Sequence, residues 1–508
     1  MNPQIHQKLA RSKRRIDRRL DKTKLGACRK PVFTAHNIHY EIANRTHATC
    51  YGGLGALHTL AQEIGLIDAI DADLHLLQFH FPYHESDHVL NIAYNALCDG
   101  TCLQDIEIHR QDVNFLDALG ARRIPDPTTA GDFCRRFTVE DITTLQTTFN
   151  HVRTYVWQQQ PEAFFDLATI DMDGTLVETT GQCKQGMDIA YDGTWGYHPL
   201  VLTLANTGEV LWLLNRSGNR PSHEGAAAAI DGVVNVCRQA GFRHVLLRGD
   251  TDFSQSEHLD RWDAAGLFFI FGFDATPNLK ALAENLPATA WQTLPRPPAY
   301  TVQTQPRQRP DNVKEAIVVQ REFENQRLRS EDVAEFLYQP TACGQAYRIV
   351  VVRKNLSVEK GEKLLYDDIR YFFYITNVLL LQAELVVWVA HNRCNQENLL
   401  AQLHGGVYAL RAPVDNLLSN WAYMVITALA WNLKAWWALL LPVHPGPWLD
   451  RHRQEKDWVL KLEFKAFVQA FVRLPCQIVQ TGRRLVYRLL SWNPYQRIFW
   501  RLVSVLRC

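Results

Sequence analysis

Two apolar runs, each ending in a pair of aspartates, constrain this chain more than any other feature. Phe164 to Ile170 leads into Asp171-Met172-Asp173-Gly174-Thr175, and His244 to Leu247 leads into Arg248-Gly249-Asp250-Thr251-Asp252-Phe253. Short apolar runs bounded by turn residues read as buried strands, which places these carboxylates at strand ends. Between them lie Leu200 to Ala205 and Val210 to Leu214, joined by Asn206-Thr207-Gly208 as a tight hairpin turn, and then a helical pattern from His223 to Ala240. A helix near Ser254 to Ala264 and a strand from Leu267 to Phe273 follow. The segment is therefore expected to fold as a mixed α/β core.

A third acidic position lies in Asn-Arg-Cys-Asn-Gln-Glu-Asn, where Arg393 and Glu397 share one face of a helix that runs on to Leu403. Each segment alone has a structural explanation. Asp250 and Asp252 suit a strand end and a helix cap, and Arg393 with Glu397 suits a surface ion pair worth about 0.3 to 0.5 kcal/mol. Asp171 and Asp173 project from one face of a strand, and adjacent like charges are costly unless metal or lysine neutralises them. The order strand, strand, helix, with an interruption between the second and third, points to one shared site. Oxygen donors gathered from two strand ends and a helix suit a pair of divalent cations, which can clamp both sides of a phosphoryl displacement. Metal-dependent phosphodiester chemistry is the expectation.

A chain of 508 residues can bury more than one core. Its net charge of +1 conceals an asymmetry. Met1 to Lys30 carries eleven Lys or Arg against two Asp, and Arg451 to Cys508 twelve against three Asp or Glu, so each end is +9 and the middle about −17. Such ends suit a polyanion. The eleven cysteines include no C-x-x-C pair, which argues against a zinc site or disulfide framework and for a reducing, cytoplasmic compartment. The basic N-terminus has no apolar stretch behind it, so no signal peptide is expected. Trp421 to Val443 is apolar and long enough to span a bilayer, but Asn432 and Lys434 near its centre would be costly in lipid. A buried helix or helical pair, with no membrane partner, is expected there.

The organisation follows from these shifts. Residues 1–30 form a basic arm and 31–160 a helical N-terminal domain, with helices such as Asp87 to Ala96 and Thr129 to Phe137, the latter behind a Pro125-Asp126-Pro127 break and a Thr cap. Residues 161–275 and 346–415 form the catalytic core. Residues 276–345, with Pro295-Arg296-Pro297-Pro298 and a Gln/Arg/Pro-rich stretch to Pro310, form an inserted subdomain, and 416–508 a helical, basic C-terminal region.

Ile170 to Leu176 resembles the first signature of haloacid-dehalogenase-like phosphatases, which implies Asp171 as nucleophile and Asp173 as acid/base. That family also needs a later lysine and an acidic pair, yet Ser254 stands where the second Asp belongs, and Lys184, very near the first motif, is the only Lys between the two.

Over a longer span, from about Asp87 to Lys434, the chain resembles bacterial insertion-sequence transposases of the DDE group. His88 to Ile108, Pro127-Thr128-Thr129-Ala130 and Phe133 to Phe137 resemble that family's N-terminal helical domain. Asp173-Gly174-Thr175 resembles its first D-x-T, Gly196 to Leu200 and Arg216-Ser217-Gly218-Asn219 with Ser222 the segments that follow, and Arg248 to Phe253 its R-x-D-S-x-F. Arg393 and Glu397 match the R and E of a Y-(2)-R-(3)-E-(6)-K signature, with Ala390 at the Tyr position and His404 at the Lys position.

The resemblance implies a ribonuclease H-like mixed sheet with a β-rich insertion, flanked by helical regions. It implies DNA strand cleavage and strand transfer at the ends of an insertion sequence, with Asp173, Asp250 and Glu397 holding two Mg²⁺ ions and Mn²⁺ as a substitute. Asp171 is the alternative first ligand. Arg393, His404, Arg248, Arg14, Arg15, Arg18 and Arg19 are the expected DNA contacts, and Arg483, Arg484 and Arg488 suit either DNA backbone or a basic amphipathic helix. The implied partners are double-stranded DNA, as terminal repeats and target, and a second copy of the chain in a homodimer. The implied setting is a bacterial nucleoid. A catalytically inactive, DNA-binding descendant is a further alternative.

Overall fold

The structure, a computed structural model, describes residues 3–21, 33, 35, 37–42, 45–80, 82–181, 183–295, 317, 320, 321, 324–360, 363–482 and 484–506. Its centre is a nine-stranded mixed sheet. In chain order the strands are β1 (Leu167–Gly174), β2 (Leu200–Leu204), β3 (Glu209–Leu214), β4 (His244–Gly249), β5 (Phe268–Phe273), β6 (Gln292–Thr293), β7 (Glu324–Tyr338), β8 (Tyr347–Lys360) and β9 (Lys363–Thr376). Their order across the sheet is β6-β7-β8-β9-β5-β4-β1-β2-β3.

β1, β2 and β3 form an antiparallel meander, while β4 lies parallel to β1 and β5 parallel to β4. Parallel neighbours need a crossover. The helices Ala226–Ala240 and Ser256–Ala264 supply the two crossovers, from β3 to β4 and from β4 to β5. Three antiparallel strands followed by two parallel ones give the ribonuclease H-like core that the sequence implied. β2 reads Leu-Val-Leu-Thr-Leu and is buried at every position, as a strand covered on both faces must be.

The long strands β7, β8 and β9 pair antiparallel along their length, and β9 joins β5 through Phe373–Thr376. The described part of the proline-interrupted region therefore continues the core sheet. The break at Arg296 to Pro298 and the stretch to Pro310 lie outside the described residues.

Helices between Leu54 and Gln158 pack with the 23-residue helix Leu417–Leu439, whose side chains are buried almost throughout. The two residues that spoke against a membrane helix both find protein partners. Asn432 Oδ1 accepts from Val210 N at 2.9 Å and its Nδ2 donates to Val210 O at 3.1 Å. Lys434 Nζ donates to Leu460 O at 2.8 Å and stands 4.0 Å from the Trp431 ring centroid. Among the described residues no helix is long and apolar enough to cross a membrane.

Glu209 at the start of β3 ties these layers together. Its fully buried carboxylate accepts from Arg153 Nε at 3.0 Å, Trp157 Nε1 at 2.8 Å, Trp436 Nε1 at 2.8 Å and Thr207 Oγ1 at 2.6 Å. A buried charge is tolerable only when paired and hydrogen-bonded in this way.

Two local expectations are corrected. The helix Pro127–Cys134 is capped by Asp126 and not by a threonine, because its Oδ1 accepts from Thr129 N at 2.8 Å while its Oδ2 accepts from the Thr129 hydroxyl at 3.0 Å. The C-terminal region also contains a hairpin, Cys476–Thr481 with Arg484–Leu489, whose first strand pairs with Ala48–Thr49 near the other end of the chain. Cys476 and Ile478 alternate inward there, a period-two signal within an otherwise helical stretch. Arg484 and Arg488 are exposed on a strand, so they are not on a basic amphipathic helix, and Arg483 lies outside the described residues.

Candidate active site

The parallel pairing of β1 with β4 sets Asp171 opposite Arg248. With a side-chain period of two, Asp173 and Asp250 then project from the same face near the same end of the two strands. Glycine makes the close packing possible at both. A Cβ at Gly174 would lie 2.7 Å from His198 Nε2, and one at Gly272 on β5 would lie 2.9 Å from Thr251 N and 3.1 Å from Asp250 C. Asp250 also caps the short turn Thr251–Phe253 by accepting from Asp252 N at 3.0 Å, so its structural role is real and coexists with its place in the site.

Two helices, Ala383–His391 and Cys394–Gly405, bring the third segment to this face. Gln396 locks the second helix onto the sheet: its Oε1 accepts from Thr203 Oγ1 at 2.5 Å and its Nε2 donates to Val201 O at 3.2 Å. Gln396, Leu399, Leu400 and Leu403 form the buried side of that helix, and the neighbouring Glu397 is exposed. Arg393 Nη1 lies 3.1 Å from Asp173 Oδ2 and 3.8 Å from Asp250 Oδ2. Burial pushes the Asp173 carboxyl up to about 7, with Arg393 opposing and the charges of Asp250 and Glu397 adding to the rise. The Asp250 carboxyl is raised by burial as well, again against Arg393. Asp173, Asp250, Arg393 and Glu397 are thus in electrostatic contact, although they come from distant parts of the chain.

Asp171 and Arg248 belong to a different arrangement. Both are buried, at 1% and 5% exposure. Arg248 Nε donates to Asp171 Oδ1 at 2.6 Å and Nη2 to Oδ2 at 2.7 Å, a two-pronged pair that occupies both carboxylate oxygens. Arg248 Nη1 continues to Val389 O at 2.8 Å, which ties the first helix to the sheet. The expectation of Arg248 on DNA is corrected, since its guanidinium is spent inside the protein. The like-charge problem at Asp171 and Asp173 is solved by two arginines and not by lysine. Asp171 is equally unsuited to act as a phosphatase nucleophile, because no solvent-facing oxygen remains on it.

His404 Nε2 is 2.9 Å from Thr175 Oγ1, and its imidazole is held below its usual pKa by burial and then by Arg411. Arg216 is also buried, and it fastens the loop behind the site through bonds to the carbonyls of His198, Pro221, Ser222 and Glu224. Arg14, Arg15, Arg18 and Arg19 are exposed on the helix Pro3–Arg19, which buries none of its residues. The structure does not gather them with the carboxylates.

Among the described residues no three His, Cys, Asp or Glu side chains are drawn together as a metal cage. The Arg393 guanidinium lies between Asp173 and Asp250 instead. The donors themselves fit a hard divalent cation, because all are carboxylate oxygens and two of them stay partly exposed, at 15% and 33%. Sequence reasoning missed Gln396 and Thr203; their signal is polar side chains within the buried stripe of a helix and a central strand.

A family model described as "Transposase DDE domain group 1" matches residues 42–508. Among solved structures, the cryo-EM structure of a piggyBac transposase synaptic complex with hairpin DNA aligns over 85% of this chain and 84% of that one, at 10% identity and a TM-score of 0.38. Among curated proteins none matches.

Proposed function

We infer that this chain, which belongs to the transposase DDE domain group 1 family, cleaves DNA strands at the ends of a mobile element and joins the freed ends to a target. The observation that carries this reading is the convergence of Asp173, Asp250 and Arg393 at one end of β1 and β4, with Glu397 one helical turn beyond Arg393. Asp173, Asp250 and Glu397 would hold the cations, two Mg²⁺ or Mn²⁺ in their place. When bound, those ions would supply a hard positive charge that activates the attacking oxygen and stabilises the leaving one.

The chain's own residues supply positioning. Arg248 holds Asp171 and the Val389 carbonyl, and so fixes β1, β4 and the helix before Arg393 in one frame. Gln396 sets the rotation of the helix that carries Glu397. Arg393 faces the cleft and presents a planar cation that suits a phosphate oxygen. In the first step water oxygen forms a bond to phosphorus and the P–O bond to the 3′ oxygen breaks, leaving a 3′-hydroxyl. In the second the oxygen of that hydroxyl forms a bond to a target phosphorus while the target's own P–O3′ bond breaks, and the departing target 3′ oxygen takes up the proton that the attacking hydroxyl gives up. The exposed arginines of the N-terminal helix neutralise DNA backbone, which makes binding salt-sensitive. A homodimer in a bacterial nucleoid completes the proposal.

The test is a supercoiled plasmid carrying the sequences that flank the gene, incubated with the full chain and Mg²⁺. Nicks at the element ends bearing 3′-hydroxyls, followed by joined products and abolished by chelation, are expected. A plasmid left intact while end binding persists would instead make the chain a binding-only descendant.

A further inference from the structure

We propose that the cleft leading away from the carboxylates along Leu176 to Gly181 holds an unpaired nucleotide beside the cut, its base stacked on Tyr408 and its phosphates on Arg411 and Lys465. This deepens the DNA-cleaving function proposed above and rests on it. The cleft has a volume of about 960 Å³, and the segment from His404 to Pro413 lines much of it. It opens directly beside the site, because His404 is bonded to Thr175, two residues beyond Asp173.

Tyr408 is the unusual residue in this wall. Its φ of +59° places a bulky aromatic residue in the left-handed region, which such residues rarely enter. Strain of this kind persists only where the surroundings fix it, and it gathers at sites of function. Here Tyr408 O accepts from Tyr423 OH at 3.1 Å, Val407 N donates to Gln402 O at 2.8 Å and Leu410 N to Leu403 O at 3.2 Å. The backbone is thus pinned on both sides of the ring.

Two cations stand over that ring. Arg411 Cζ lies 5.4 Å from its centroid, and Lys465 Nζ lies 5.3 Å from the centroid and 3.2 Å from the hydroxyl. Both cationic residues are exposed, whereas Lys184 in the same cleft is committed to the Ala412 carbonyl. Glu178 is the acidic residue of the lining. An aromatic face beside cations is how single-stranded nucleic acid is held without sequence readout. A base inside a duplex has both faces stacked on its neighbours, so only an unpaired base can use Tyr408.

The test uses two fluorescein-labelled DNA duplexes, identical except that one end has its last nucleotides paired or unpaired, and reads the ratio of their Kd values by anisotropy in Ca²⁺. The full-length wild type is expected to prefer the unpaired end by about five-fold or more, the lower bound of base–aromatic stacking. Tyr408→Phe should keep that ratio and Tyr408→Gly should lose it. Glycine tolerates the positive φ, so Tyr408→Gly is expected to melt no earlier than wild type. Equal affinity for the two ends in wild type, or a preference that survives Tyr408→Gly, overturns this inference and leaves the DNA-cleaving function standing. Failure to bind either duplex overturns both.

Discussion

Replacing Arg248 with methionine should destabilise the protein far more than replacing Arg248 and Asp171 together. The single change leaves Asp171, 1% exposed, without the guanidinium that contacts both of its oxygens. Losing one partner of a buried pair costs about 3–5 kcal/mol. Protonation limits the loss, since neutralising a carboxyl of ordinary pKa 3.8 at pH 7 costs about 4 kcal/mol at 1.36 kcal/mol per unit. The sign of the pH dependence follows. In Arg248→Met the folded Asp171 carboxyl titrates above its unfolded value, so the folded state binds more protons between about pH 4 and 7 and the deficit shrinks as pH falls. The double variant Asp171→Leu/Arg248→Met has no charge to bury and is expected within about 1 kcal/mol of wild type. Urea unfolding of the four proteins gives the coupling energy directly, expected at about 3 kcal/mol. Additive single effects, or a deficit in Arg248→Met that does not change with pH, would refute the buried-pair reasoning. Because Arg248 also holds the Val389 carbonyl, the double variant should cleave with Mg²⁺ at a reduced rate, whereas Asp173→Asn should lose cleavage.

Other consequences follow from particular contacts. In either orientation Glu209→Gln sets its amide nitrogen against a donor-only group, Arg153 Nε with Trp436 Nε1 or else Trp157 Nε1, so it should cost about 2–4 kcal/mol and lower the thermal midpoint measured by calorimetry. Gly272→Ala places a methyl group 2.9 Å from Thr251 N and should displace Asp250, cutting cleavage more than ten-fold for about 1–3 kcal/mol of stability, read by paired activity and unfolding measurements. Burial lowers Lys434 from 10.5 to about 7. Since the unfolded chain then binds more protons between pH 7 and 10.5, stability should rise with pH across that window by up to about 1.4 kcal/mol per unit, and Lys434→Met should flatten the slope of unfolding free energy against pH.

The core was legible because its signals are local. Apolar runs of strand length, an Asn-Thr-Gly turn and helical periodicity between Ala226 and Ala240 each report on a few neighbouring residues, and together they fix the βββαβ order. Asp173 and Asp250 were legible as site candidates because each lies at the end of such a run. The fate of Arg248 was not, since its inward turn toward Asp171 depends on β1 and β4 being parallel neighbours in a particular register. For the same reason Gln396 could be called a helix residue but not the clamp onto Thr203. The hairpin from Cys476 to Leu489 was hidden by helical neighbours, and its stability comes partly from Ala48 and Thr49, far away in sequence. The Asn432 and Lys434 argument, by contrast, needed only composition, and the structure supplies the backbone partners it called for.

The most direct measurement is the rate of Mg²⁺-dependent cleavage of a duplex carrying the element end, for wild type and for Asp173→Asn, Asp250→Asn and Glu397→Gln. The account predicts that wild type cuts with Mg²⁺ or Mn²⁺ and that each carboxamide lowers the rate by about 10³ or more while the folded state and end binding persist. Cleavage that survives loss of Glu397, or intact DNA alongside hydrolysis of a small phosphomonoester, would contradict it.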